Sequence, residues 1–165
     1  MGGYEMEDSY YEEDTLKDKY LIFYVAEEAF AIEIRYVMEI IGIQPMTSVP
    51  ELPDYIRGII NLRGTIVPIM DVRLRFKKPF LEYTDRTCVI IVEMNEISMG
   101  LVVDRVAEVM TIPEDEIVDP PEISKGHNRY VKGICKMGED VKLILDCNKI
   151  LTDDEVEQLS QIREV

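Results

Sequence analysis

The chain has 165 residues and a mass of 19.1 kDa, room for one ordinary domain or two small intimate ones. Hydrophobic residues make up 47% of it, too many for a disordered chain, while 33 acidic against 18 basic side chains leave a net charge of −15. That balance argues against nucleic acid, which is bound largely through cationic neutralisation of phosphates, and against an anionic membrane surface. Clean apolar runs such as Cys88–Val92 are far shorter than the roughly 20 residues needed to span a bilayer, so no membrane insertion is expected. The first fifteen residues hold no Lys, no Arg and no apolar run, so no secretory signal is expected either. Three sparse cysteines, Cys88, Cys135 and Cys147, read as reduced thiols of a cytoplasmic protein.

Residues 1–17 form an acidic stretch without helical or strand periodicity and read as a solvated, flexible tail. From residue 20 the pattern becomes β. Tyr20–Val25 and Ala29–Ile34 flank a polar Glu27-Glu28 turn, and Cys88–Val92 and Met99–Val103 flank Asn95-Glu96; each pair reads as a hairpin. The two hairpins resemble one another, and the likeness extends. A shift of 69 residues sets Ile32 and Ile34 on Leu101 and Val103, and Val37–Ile40 on Val106–Val109. A shift of 75 sets Tyr55–Ile59 on Tyr130–Ile134, Ile69 on Ile144 and Asp71 on Asp146. Matching segments in the same order indicate a duplication, with units at 18–80 and 81–151. Each unit offers about five short strands, which suits a small closed barrel because closure removes exposed sheet edges. Units this small bury limited apolar area alone, so the two should share a core. Gly58 and Gly133 mark bulges or close backbone approaches, and Asp71 and Asp146 mark a turn common to both units. Pro113–Glu116 reads as a helical turn. At the end, Thr152 and Glu155 fit a capping box, followed by Val156, Leu159 and Ile162 along one face of a short helix in 152–165.

Little here is equipped for covalent chemistry. The single histidine, His127, lies in a polar loop with no partner at a recognised spacing, and the cysteines form no Cys-x-x-Cys pair. Gly58–Thr65 faintly resembles a phosphate loop, but its glycine spacing is one too long and its lysine is missing. Arg73, Arg75, Lys77 and Lys78 read as a solvated strand face. No catalytic residue, metal or cofactor is expected.

One stretch is far more specific: Pro53-Asp-Tyr-Ile-Arg-Gly-Ile-Ile-Asn-Leu-Arg-Gly64, with Val37–Ile40 before it and Val67–Arg73 and Gly100–Val106 after it. Across about 18–155 the sequence resembles the CheW family of bacterial chemotaxis adaptors. The resemblance implies a mainly β fold of two five-stranded SH3-like barrels sharing a hydrophobic core. It also implies a non-catalytic scaffold that couples the helical tips of methyl-accepting chemoreceptors to the regulatory domain of the histidine kinase CheA. Such a protein would be a monomer alone and part of rings or arrays with the kinase, whose similar regulatory domain could meet a barrel end-on.

Asn61 and Gly64 then belong to a turn between apolar strands, with Gly64 supplying backbone freedom. Arg63, flanked by apolar strands, calls for a carboxylate partner, and Glu39 is the candidate because the resemblance places it near that loop. The pair acts either as a partner-binding surface or as a brace for it. A receptor hairpin would lay an apolar stripe into a groove between the barrels, lined by Val37, Ile40, Ile41 and Val102. A fragment of the kinase, an adaptor fused to a receiver domain, and a small-molecule barrel are the competing readings. The chain's length excludes the larger forms, and fold alone does not exclude the last.

Overall fold

The structure, a computed structural model, describes residues 16–94, 96–121, 129–137 and 139–163. Most of the acidic N-terminal stretch, His127, Asn95 and Gly138 lie outside the described residues.

Eleven strands are present among these residues: β1 (Lys19–Val25), β2 (Glu28–Glu33), β3 (Val37–Gly42), β4 (Ile56–Leu62), β5 (Thr65–Asp71), β6 (Cys88–Met94), β7 (Ile97–Val103), β8 (Arg105–Thr111), β9 (Ile117–Val118), β10 (Val131–Met137) and β11 (Asp140–Leu145). Two α-helices accompany them, the single turn α1 (Val72–Arg75) and the C-terminal α2 (Asp153–Arg163). Within the expected helical turn at Pro113–Glu116, Glu114–Glu116 is a 3-10 turn, with the Glu116 amide donating to the Pro113 carbonyl at 3.0 Å. The strands form a six-stranded sheet in the order β8-β1-β2-β11-β10-β9 and a five-stranded sheet in the order β3-β6-β7-β5-β4.

This arrangement departs from the sequence expectation in two ways. Neither sheet closes into a barrel through its strand pairing: β8 and β9 are edges of one sheet, β3 and β4 of the other. Proline supplies a physical reason, since it cannot donate to a strand ladder. Pro45, Pro50 and Pro53 interrupt the run from β3 to β4, which contributes only an isolated bridge from Thr47 to Ile59. Pro113, Pro120 and Pro121 likewise bracket β9 and hold it to two residues.

The units 18–80 and 81–151 also do not each build a sheet of their own. Each repeat gives its first hairpin to the other repeat's sheet: β1–β2 joins β8–β11, and β6–β7 joins β3–β5. The joins are parallel and equivalent. Ile69 of β5 faces Gly100 of β7, and Ile144 of β11 faces Ala31 of β2.

Strand alternation sorts the side chains into three apolar clusters. The central one lies between the sheets and draws on both exchanged hairpins, with Leu21, Phe23 and Val25 of β1, Ile90 and Val92 of β6, and Met99, Leu101 and Val103 of β7. Tyr20, Ile22, Ala31, Cys135 and Ile144 form a smaller cluster on the far face of the six-stranded sheet. Ile60, Val67, Ile69, Val89, Ile91 and Val102 do the same on the five-stranded sheet.

Helix α2 begins with the reciprocal capping box: the Glu155 amide donates to Thr152 Oγ1 at 3.2 Å, and the Thr152 amide donates to Glu155 Oε1 at 2.8 Å. Leu159 enters the central cluster, with Val156 and Ile162 against it. The turn aspartates are true repeat equivalents. The amides of Asp71 and Asp146 each donate at 2.7 Å to the carbonyls of Tyr55 and Tyr130. Their carboxylates accept from the Leu74 and Asn148 amides.

Gly58 and Gly133 both sit at register shifts in their hairpins. A Cβ on Gly58 would come within 2.6 Å of the Thr47 carbonyl oxygen, which is backbone and cannot swing away. Gly58→Ala should therefore lose about 1–3 kcal/mol of stability. Gly42→Ala, with nothing within 4 Å of its Cβ, should be neutral or slightly stabilising. Urea midpoints of the two variants check this; equal midpoints would remove the close approach as the reason for glycine.

Candidate functional site

The β4–β5 hairpin turns on two residues, Arg63 (φ 51°) and Gly64 (φ 90°), the positive-φ pattern of a type I′ turn. Such a turn favours glycine at its second position, and the Gly64 amide donates to Asn61 Oδ1 at 2.8 Å, which fixes the turn from within. Arg63 is thereby aimed across the sheet, where its Nη2 pairs with Glu39 Oε1 on β3. Strands β3 and β4 are the two outer strands of the five-stranded sheet, so this ion pair joins one outer strand to the turn that leaves the other. Beneath lies a depression of about 210 Å³ with Val67 and Ile91 in its floor and Met38, Leu62 and Ser98 around it.

The pair itself is well solvated: the Arg63 side chain is 71% exposed and Glu39 32%. Burial is therefore not the reason Arg63 has a partner, contrary to the expectation from its apolar flanks. The positive-φ turn delivers the guanidinium to the carboxylate at the surface.

The proposed groove residues separate. Ile40 is 43% exposed and Val37 and Ile41 are half-buried. Val102 is 3% exposed inside the outer cluster of the five-stranded sheet and lines a small pocket with Asp71, Arg73 and Tyr83, not a groove with Val37, Ile40 and Ile41. All four belong to that one sheet rather than to both sides of a cleft. The continuous apolar run of β7 conceals which face each residue takes, because both faces are buried. Met38 is the residue that was missed. It occupies the bulge between Val37 and Glu39, is 57% exposed, and sits with Ile40 on an edge strand. Two exposed apolar side chains beside an ion pair, on a strand with a free edge, make a surface suited to protein contact.

Two supporting contacts were also hidden in the sequence. Arg73 binds Asp104 through Nε and Nη2, both at 2.8 Å, and Asp104 also accepts the Ala26 amide at 2.8 Å. This ties the tip of the β1–β2 hairpin to the five-stranded sheet. Burial pushes the Asp104 carboxyl upward, but the Arg73 hydrogen bonds and the Ala26 amide outweigh it and hold the pKa below the usual carboxylate value. Arg75, expected on a solvated strand, is instead on α1 with a side chain only 10% exposed. Its guanidinium lies 4.4 Å from the ring centre of Tyr55 and 4.9 Å from that of Tyr130, which are repeat equivalents. It donates to the Ile150 carbonyl at 2.8 Å and to Glu155 Oε1 at 3.3 Å, which anchors α2.

Among the described residues no group of three or more His, Cys, Asp or Glu is placed to hold a metal. Burial pushes the Cys147 thiol up to about 12 and raises that of Cys135, so neither is a ready nucleophile at neutral pH. No helix among the described residues is long and apolar enough to cross a membrane.

The molecule is thus a two-sheet β protein with a short C-terminal helix, whose candidate site is a braced surface. The CheW-like domain model matches residues 19–155. The chemotaxis protein CheW of Bacillus subtilis (strain 168) is 36% identical over 135 residues, covering 81% of this chain and 86% of that one. Chemotaxis protein CheW of Klebsiella aerogenes is 33% identical over 144 residues, covering 87% of both. The crystal structure of scaffolding protein TtCheW from Thermoanaerobacter tengcongensis matches with a TM-score of 0.78 at 33% identity, over 84% of this chain and 94% of that chain. The chain belongs to the CheW family.

Two outcomes follow from the geometry. Glu39→Ala and Arg63→Ala should each cost less than about 1 kcal/mol, as exposed ion pairs do; a larger loss of the urea midpoint would mean that the pair holds the fold. Asp104→Asn should cost about 2 kcal/mol at pH 7 by weakening a charged, partly buried hydrogen-bond set. Because the folded pKa is depressed, this contribution is present above the unfolded value of about 4 and lost as pH falls through the folded one. The difference from the native protein should therefore narrow between pH 5 and strong acid, and a constant difference would refute the linkage.

Proposed function

We propose that this chain is a non-catalytic chemotaxis scaffold. It would work in the cytoplasm, joining the regulatory domain of the histidine kinase CheA to the helical tips of methyl-accepting receptors and so placing the kinase under receptor control. The observation that carries this reading is the CheW-like match over residues 19–155, across the whole two-sheet body. Residues 18–155 then act as one folded unit. Each open sheet, wrapped on its own outer cluster, corresponds to one SH3-like barrel of the family, with the Glu39–Arg63 pair bridging where strand pairing stops.

The surface chemistry supports a binding role. Met38 and Ile40 offer apolar anchors on the edge strand, Asn61 and Gly64 set the turn, and Glu39 and Arg63 hold the two edges in register. A helical hairpin presents such a surface with an apolar stripe flanked by polar side chains, the helix-in-groove mode. The partners would be held head-to-tail, since the two ends of the molecule differ, and rings with the kinase follow from closure of that contact.

Reconstitution tests the reading. With receptor-bearing membranes and kinase, addition of this protein should bring kinase activity under attractant control. Arg63→Ala and Ile40→Glu should weaken that coupling by roughly tenfold or more, which is an interface loss of about 1.4 kcal/mol, while leaving the urea midpoint nearly unchanged. If the protein leaves kinase output unresponsive to attractant, the scaffold reading fails. If both variants couple normally, the β3 surface is not where partners bind.

A further inference from the structure

Sulfur is distributed unevenly over this fold. Among the described methionines, Met70, Met94 and Met99 are buried, and Met46, Met110 and Met137 are half-buried. Met38 alone is exposed, by more than half of its surface. Its Sδ accepts a hydrogen bond from the Ser98 hydroxyl at 3.8 Å, which places the thioether at the rim of the depression beneath the Glu39–Arg63 pair. An accessible thioether is open to oxidation, and the sulfoxide that results is polar where the methionine was apolar.

We propose that hydrogen peroxide converts Met38 to its sulfoxide and that this modification releases the partner held at the β3 surface, a release that rests on the scaffold reading above. A sulfur lone pair attacks one peroxide oxygen, the O–O bond breaks as the S–O bond forms, and the second oxygen leaves as water after proton transfer. Sulfur loses two electrons and the peroxide gains them, with no further co-reactant.

The surroundings make the change consequential. Oxidation sets a polar oxygen where a partner needs an apolar anchor. That oxygen accepts hydrogen bonds more strongly than a thioether does, and the Ser98 hydroxyl and the Arg63 guanidinium border the same depression. The sulfoxide therefore competes with Glu39 for Arg63, and one added atom weakens both the anchor and the brace. Met38 aligns with Ala107 at the shift of 69, so the matching point of β8 has no sulfur to oxidise. Methionine sulfoxide reductases, one for each epimer, return the thioether, which makes the release reversible.

The experiment uses the full chain in a Cys88→Ala background, which takes the half-buried thiol out of the readout; Cys135 and Cys147 are buried. The protein is treated alone, and the peroxide is removed before receptor-bearing membranes and kinase are added. Peptide mass spectrometry should find Met38 oxidised at least about fivefold faster than Met46, Met110 and Met137. Attractant control of the kinase, measured against the untreated sample, should fall roughly tenfold with the urea midpoint unchanged, and the reductases should restore it. Met38→Leu, measured against its own untreated sample, should hold its level within about twofold, because leucine has no sulfur to oxidise. Oxidation of Met38 no faster than that of the half-buried methionines overturns the proposal. So does full attractant control after Met38 is converted, or an equal loss in Met38→Leu. Absence of attractant control before any peroxide is added overturns the scaffold reading instead, and the release with it.

Discussion

The reciprocal exchange of hairpins is the constraint on which the rest of the molecule depends. Without the hairpin of the other repeat, β3 would be cut off from β5–β4 and β8 from β11–β10–β9. By lending β1–β2 to one sheet and β6–β7 to the other, each repeat completes its neighbour and leaves both lent hairpins face to face in the central cluster. Burial of Phe23, Ile90 and Leu101 there removes apolar surface from water only when both halves are folded. The parallel joins at Ile69–Gly100 and Ala31–Ile144 add a steric condition. A Cβ at Gly100 would fall 2.5 Å from Ile69 Cδ1 and 2.8 Å from Val89 Cγ1, so these buried side chains would have to shift to admit one. Folding is therefore a joint property of the two halves.

Around that shared centre, the smaller polar contacts decide which surfaces are held. The Asp104 clamp fixes the tip of a lent hairpin to the sheet that receives the other one. Arg75 stacks between Tyr55 and Tyr130 and reaches the carbonyl of Ile150, its own counterpart at the 75-residue shift. One guanidinium thus reads both repeats at once and anchors the C-terminal helix through Glu155. Arginine suits the position because its planar group stacks on two rings and still directs hydrogen bonds within its plane.

Much of this was legible in the sequence, and what was hidden has definite physical causes. The duplication, the hairpins, the capping box at Thr152 and the glycine bulges are local patterns, and the strand period and turn chemistry report them directly. Strand alternation tells which face a side chain takes but not which strand lies alongside, so the exchange of β1–β2 with β6–β7 leaves no local trace. Val102 lies in a strand buried on both faces, where alternation vanishes. Arg75 reads as one cation among four, because its two tyrosines and its glutamate lie 20, 55 and 80 residues away. Met38 is apolar and so reads as core, yet it shares the exposed face of β3 with Ile40.

The repeats share a frame but differ in side chains at matching points, and this gives a duplicated molecule two distinct ends. Glu39 has a counterpart in Glu108, yet Arg63 aligns with Gly138, so the sequence offers no matching arginine for the second sheet. Val67 and Val102 of the five-stranded sheet become Lys142 and Glu33 in the six-stranded one. An exposed ion pair contributes little to folding, whereas the central apolar cluster contributes a great deal. The surface features can therefore differ between halves at small cost in stability, provided the core beneath them is kept. For a scaffold, that separation is the useful property: the shared frame is kept, and the edge residues are free to differ between the halves.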